Sequence, residues 1–88
     1  MKVNFKKFPV YKNIRKDLVQ EQDISYPLSN GIYSNIPGIM AHALALKIYS
    51  SEGEVELTEG ETDALLQWVD MFSGIIADSV KDYIYKNR

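Results

Sequence analysis

The stretch Ile39-Met40-Ala41-His42-Ala43-Leu44-Ala45-Leu46-Lys47-Ile48-Tyr49 decides how this chain folds. Only His42 and Lys47 are strongly polar, and Ala41, Ala43 and Ala45 alternate through it. A helix that is apolar on nearly every face is buried on nearly every face, so the composition predicts a central helix over 37–50. Asn35 is placed to cap it, and Pro37 to sit in its first turn, where a missing amide costs nothing. The three alanines leave room for neighbouring helices to approach closely.

On the C-terminal side, Gly53 closes the helix, and Glu54-Val55-Glu56-Leu57 is too short for another, which predicts a brief strand near 54–57. Thr58 and Glu61 have the spacing of a capping box, in which the hydroxyl accepts from the amide at 61 and the carboxylate from the amide at 58. Glu59, Glu61 and Asp63 also favour the positive end of a helix dipole. A helix over 59–72 follows, with Leu65, Trp68, Val69 and Phe72 as its apolar stripe. Gly74 breaks the chain. A last helix over 75–86 turns Ile76, Val80, Tyr83 and Ile84 inward and places Lys81, Lys86 and Arg88 toward its negative end.

On the N-terminal side, Ser25 as cap and Pro27 in the first turn start a helix over 26–34, carried by Leu28, Ile32 and Tyr33. Asn30-Gly31 is a hairpin-turn signal, so a turn-containing loop is the alternative there. Val3 and Phe5 alternate with Asn4 and Lys6 and predict a strand over 2–7 that leaves the sheet at Pro9. Leu18–Ile24 predicts a second, edge strand paired with it. The resulting order is that of a small, mostly helical α+β domain, and residues 1–88 suffice for one domain and not two.

Composition narrows the function classes. The chain has no cysteine, so it has no disulfide and no thiolate metal site, which points to a reducing compartment. Met1–Lys7 lacks the apolar run of a secretory signal, and no apolar stretch reaches the ~20 residues of a membrane span. The expectation is a soluble, cytoplasmic domain with no membrane partner. The net charge of −2 hides an asymmetry: residues 1–16 carry Lys2, Lys6, Lys7, Lys12, Arg15 and Lys16 and no acid, while six of the twelve acids crowd into 52–63. Interleaved with Phe5, Phe8 and Tyr11, the six cations suggest contact with nucleic acid or another anionic partner. A pI of about 5.3 opposes a dedicated nucleic-acid binder, and the basic segment lying beside the acidic one within the fold is the simpler account.

No catalytic, metal or cofactor site is expected. His42, the only histidine, has Ile39, Ala45 and Leu46 as its helical neighbours, none of which is an acid, a nucleophile or a second ligand. Between Glu52 and Asp63 the acids do not follow the ligand positions of a calcium loop. There is no glycine-rich phosphate loop and no nucleophile elbow, and so short a chain has little room for a substrate pocket. What remains is a non-enzymatic protein–protein interaction or assembly module. Six tyrosines, Trp68 and three methionines exceed what a small core can enclose, and these residue types are enriched at interface centres. Trp68, Tyr83 and Tyr85 are the interface candidates, and self-association as a two-fold dimer is the expected form. The alternative is a nucleic-acid accessory protein using the six cations of segment 2–16.

Residues 39–49, followed by Val55-Glu56-Leu57-Thr58-Glu59, resemble small uncharacterised proteins encoded in bacterial prophages and mobile elements. That resemblance implies an accessory role in phage assembly or regulation and brings no activity with it.

Overall fold

Four helices and four short strands follow one another as β1 (Lys2–Val3), β2 (Phe8–Tyr11), β3 (Val19–Gln22), α1 (Ser25–Asn35), α2 (Ile39–Ser50), β4 (Val55–Glu56), α3 (Glu59–Trp68) and α4 (Gly74–Asn87). The computed structural model describes all residues from 1 to 88, an α+β domain with the four helices close to their expected positions.

The expected N-terminal strand pair forms, with β3 inside the expected 18–24, but its first strand is Phe8–Tyr11 rather than 2–7, and Lys2–Val3 pairs elsewhere. β1 runs antiparallel to β4, with Lys2 opposite Glu56 and Val3 opposite Val55. The expected strand over 2–7 stops at Val3 because Asn4 turns the chain: its side-chain oxygen accepts from the Lys6 amide at 3.0 Å, and its carbonyl accepts from the Lys7 amide at 3.3 Å. Such local bonds compete with a ladder. The chain re-enters a sheet at Phe8 and runs through Pro9, where it was expected to leave. β2 pairs antiparallel with β3, from Phe8 opposite Gln22 to Tyr11 opposite Val19. Pro9 is tolerated because the Tyr11 amide points away from β3, donating to Ser79 Oγ at 2.9 Å. Two residues earlier, the Pro9 nitrogen has the same orientation, so no ladder bond is lost.

Two capping expectations are corrected and one holds. Ser25 does not cap α1; it is the first helical residue, and Asp23 Oδ1 accepts both its amide (3.0 Å) and its hydroxyl (2.6 Å). Asn35 does not cap α2 but closes α1, donating from its side chain to Gly31 O at 2.9 Å. The residue before α2 is Gly38, whose φ of 106° favours glycine. The helix over 59–72 ends earlier, at Trp68, followed by a 3₁₀ turn at Val69–Met71. The chain turns extended at Phe72, and Ser73 then caps α4, its hydroxyl accepting the Ile76 amide. Thr58 and Glu61 form both bonds of the capping box, at 3.1 and 2.9 Å. Lys47 Nζ joins the same Glu61 carboxylate at 2.8 Å and so ties α2 to the start of α3.

Gly31 shows why α1 continues through Asn30-Gly31 rather than turning. A Cβ at position 31 would run into the Phe72 ring, so glycine is what lets Phe72 seat against the helix. Gly31→Ala is expected to displace that ring and destabilise the fold, even though alanine is favoured by about 1 kcal/mol within a helix. In a Phe72→Ala background the same substitution is expected to stabilise. Urea unfolding of the four variants checks this double-mutant cycle, and equal effects of Gly31→Ala in both backgrounds would refute the contact.

The core gathers 18 buried apolar residues from every layer, with Phe5 and Phe8 stacked at 5.7 Å and Phe8 against Tyr83 at 4.8 Å. The expectation that α2 is buried on nearly every face is overturned. Ala41, Leu44, Ala45 and Ile48 are enclosed, whereas Ile39, Met40, Ala43, Leu46 and Tyr49 are exposed. The physical reason is a shortage of cover: α2's principal helical neighbour is α1, and α3 and α4 cover other parts of the core. A chain of 88 residues cannot wrap both sides of this helix.

Candidate interaction surface

α1 and α2 form an antiparallel hairpin joined by Ile36-Pro37-Gly38. The ring of Tyr26 meets Tyr49 edge-on at 6.2 Å, and at the other end Tyr33 meets His42 at 5.3 Å. Between these pairs lies an open groove of about 200 Å³ lined by Tyr26, Ser29, Asn30 and Tyr33 of α1 and His42, Ala45, Leu46 and Tyr49 of α2. Both helices contribute positions i, i+3, i+4 and i+7, the spacing of one helical face. Around it, Tyr26 is 61% exposed, Tyr33 57%, Ile39 88%, Leu46 50% and Tyr49 57%. The hairpin is also nearly devoid of charge: from Ile24 to Ser51, Lys47 is the single Lys, Arg, Asp or Glu, and it is held by Glu61.

His42 therefore sits on an exposed aromatic face, with the Tyr33 ring as its neighbour rather than a carboxylate. No group of three or more His, Asp or Glu side chains is arranged to hold a metal ion.

The residues singled out from sequence are scattered. Among the interface candidates, Tyr83 packs on Phe8, Trp68 is partly buried against the core, and Tyr85 projects from α4. They form no common surface with the α1–α2 groove. Of the six N-terminal cations, Arg15 pairs with Asp17 at 3.4 Å, and Lys16 with Asp78 and Asp82 at 3.6 and 3.5 Å. Lys2 lies across the β1–β4 pair from Glu56, while Lys7 and Lys12 are exposed and Lys6 is half-buried. The charge asymmetry is in part internal, because Lys16 meets Asp78 and Asp82 of α4 and Lys2 lies opposite Glu56 of the acidic segment. Sequence reasoning passed over Tyr26, Tyr33, Leu46 and Tyr49. The signals that identify them are the matched spacing in two consecutive helices and the 28-residue interval with a single charge.

A separate polar cluster fastens the β2–β3 hairpin to α4. Tyr11 donates its hydroxyl to Asp82 Oδ2 at 2.7 Å. This bond, assisted by Lys16, holds the Asp82 carboxyl below the usual carboxylate range and raises the tyrosine. For Glu61, burial favours the neutral acid, but the bonds from Lys47 and the Thr58 amide outweigh it and the net shift is downward. Asp23 is lowered by the Ser25 hydroxyl and amide. Carboxyls depressed in the folded state bind protons less readily than in the unfolded chain, so their contribution is complete above the ordinary range near pH 4 and is lost as the pH falls through the folded values. The urea midpoint is accordingly expected to fall between pH 5 and pH 3, and less steeply in Asp82→Asn. A midpoint that is flat over this range would contradict the three assignments.

Comparison of the chain with known protein families, with curated proteins and with solved structures finds no match.

Proposed function

We propose that this chain is a non-enzymatic protein-interaction or assembly module that works through the exposed face of α1 and α2. One observation carries the reading: on this face wide exposure of large aromatic and aliphatic side chains coincides with an almost complete absence of charge. Interface centres have the same composition, rich in tyrosine and poor in Lys, Glu and Asp. A shallow groove flanked by two helices is also the receiving half of helix-in-groove recognition. An accessory role in assembly, which the prophage-like stretches imply, needs such a docking face and no catalytic group.

The reading requires that these side chains do not serve the stability of the isolated fold. A Tyr26→Ser/Leu46→Ser/Tyr49→Ser variant, measured at submicromolar concentration, is expected to unfold within about 2 kcal/mol of the parent. Exposed substitutions are usually small, and the Tyr26–Tyr49 ring pair adds about 0.5–1.5 kcal/mol. A loss of more than about 4 kcal/mol, on the scale of core truncations, would assign the face to folding and end the proposal.

A further inference from the structure

We infer that the occupant of the α1–α2 face is a second copy of the same chain, stacked face to face about a two-fold axis so that two hairpins make a two-layer, four-helix arrangement. The inference rests on the reading of this face as a protein-binding surface and names its partner.

Charge is the first argument. A two-fold interface sets a surface against its own image, so net charge on that surface repels itself, whereas an uncharged apolar surface is its own complement. Between Ile24 and Ser51 the chain carries one formal charge against 21 elsewhere, and that one, Lys47, points to Glu61 at 2.8 Å. A partner selected by charge finds nothing here to pair with. The identical face does not need charge.

Area is the second argument. Tyr26, Tyr33, Ile39, Leu46 and Tyr49 are all half exposed or more. With aromatic side chains presenting about 150–250 Å² each when fully exposed, these five leave roughly 500–700 Å² open to solvent. That approaches the ~800 Å² that each partner supplies to a standard interface and reaches the upper end of the largest apolar patch on a typical monomer, about 300–600 Å².

Helix geometry is the third. Tyr26 to Tyr33 and His42 to Tyr49 each span seven residues, about 10 Å of helix. The groove between them is a recess running along two antiparallel helices, and a copy of the same hairpin offers ridges of the matching pitch. Ile39, at one end of the face, is the most projecting of its side chains.

Sedimentation equilibrium of the full chain from low to high micromolar concentration tests the inference, with Leu46→Glu and Tyr49→Glu as face variants and Tyr85→Glu on α4 as control. The expected result is a dimer that both face variants weaken by roughly a hundredfold or more, since each buries an unpaired charge, while their circular dichroism stays that of the parent and Tyr85→Glu stays dimeric. Labelled Leu46→Glu mixed with excess parent is expected to form mixed dimers about tenfold weaker than the parent's, the square root of the hundredfold loss, because in a two-fold interface each copy supplies one residue 46. Mixed dimers as tight as the parent's would overturn the two-fold arrangement, since a head-to-tail contact leaves the variant a second, intact surface. A dimer indifferent to Leu46→Glu, or a strict monomer at every concentration, would overturn the second copy as occupant. The fold-stability test of the serine variant reads the face itself, so failure here is distinguishable from failure of the interaction reading.

Discussion

Truncating Phe8 to alanine is expected to cost about 3–5 kcal/mol. An 88-residue domain has about 4–13 kcal/mol in all at typical per-residue stability, so this variant is expected to be partly or wholly unfolded at room temperature. Phe8 is fully buried, stacks on Phe5 at an interplanar angle of 11°, and lies 4.8 Å from the Tyr83 ring. It thereby joins the N-terminal strands to α4, and the cavity left by its removal is walled by elements that cannot all collapse inward together. Chemical unfolding followed by Trp68 fluorescence gives the number. Phe8→Leu, which keeps part of the volume, is expected to fold with a smaller loss, so the comparison survives if the alanine variant does not fold. A loss below about 1 kcal/mol for Phe8→Ala would show that the ring is not enclosed as described.

Enlarging two alanines of α2 is expected to give opposite answers. Ala41 is fully buried, and leucine there is expected to cost about 1–3 kcal/mol by overpacking. Ala43, two positions on, is exposed, and the same substitution is expected to change stability by less than about 0.5 kcal/mol. Thermal melts at low protein concentration measure both without interference from association. Equal costs at the two positions would restore the sequence-based picture of a helix enclosed all round. Equal neutrality would remove the packing face made by Ala41, Leu44, Ala45 and Ile48.

The elements most legible from sequence were those with local causes. Thr58 and Glu61 satisfy each other's backbone groups within one turn, so the start of α3 follows from four residues. The inward face of α4 follows from the spacing of Val80 and Ile84, both buried. The turn signal at Asn30-Gly31 pointed the other way because its meaning depends on Phe72, about 40 residues along the chain, whose ring occupies the space above Gly31. The partner of β1 is equally remote: it is Val55–Glu56, and nothing in Lys2–Val3 specifies which distant segment that is.

The interaction face was hidden by an ambiguity of composition. Apolar side chains on all sides of α2 indicate that each side avoids water, but not what covers it. By itself, the sequence determined that residues 39–49 form a helix, that Thr58 starts another, and that 24–51 carries almost no charge, because periodicity, capping and charge are properties of neighbouring residues. Only the tertiary structure decided which side of α2 the rest of the chain covers. The covered side carries Ala41, Leu44, Ala45 and Ile48, while Ile39, Leu46 and Tyr49 stay half exposed or more. Burial is a property of the whole chain's area, and 88 residues do not have enough of it to enclose both sides of their most apolar helix.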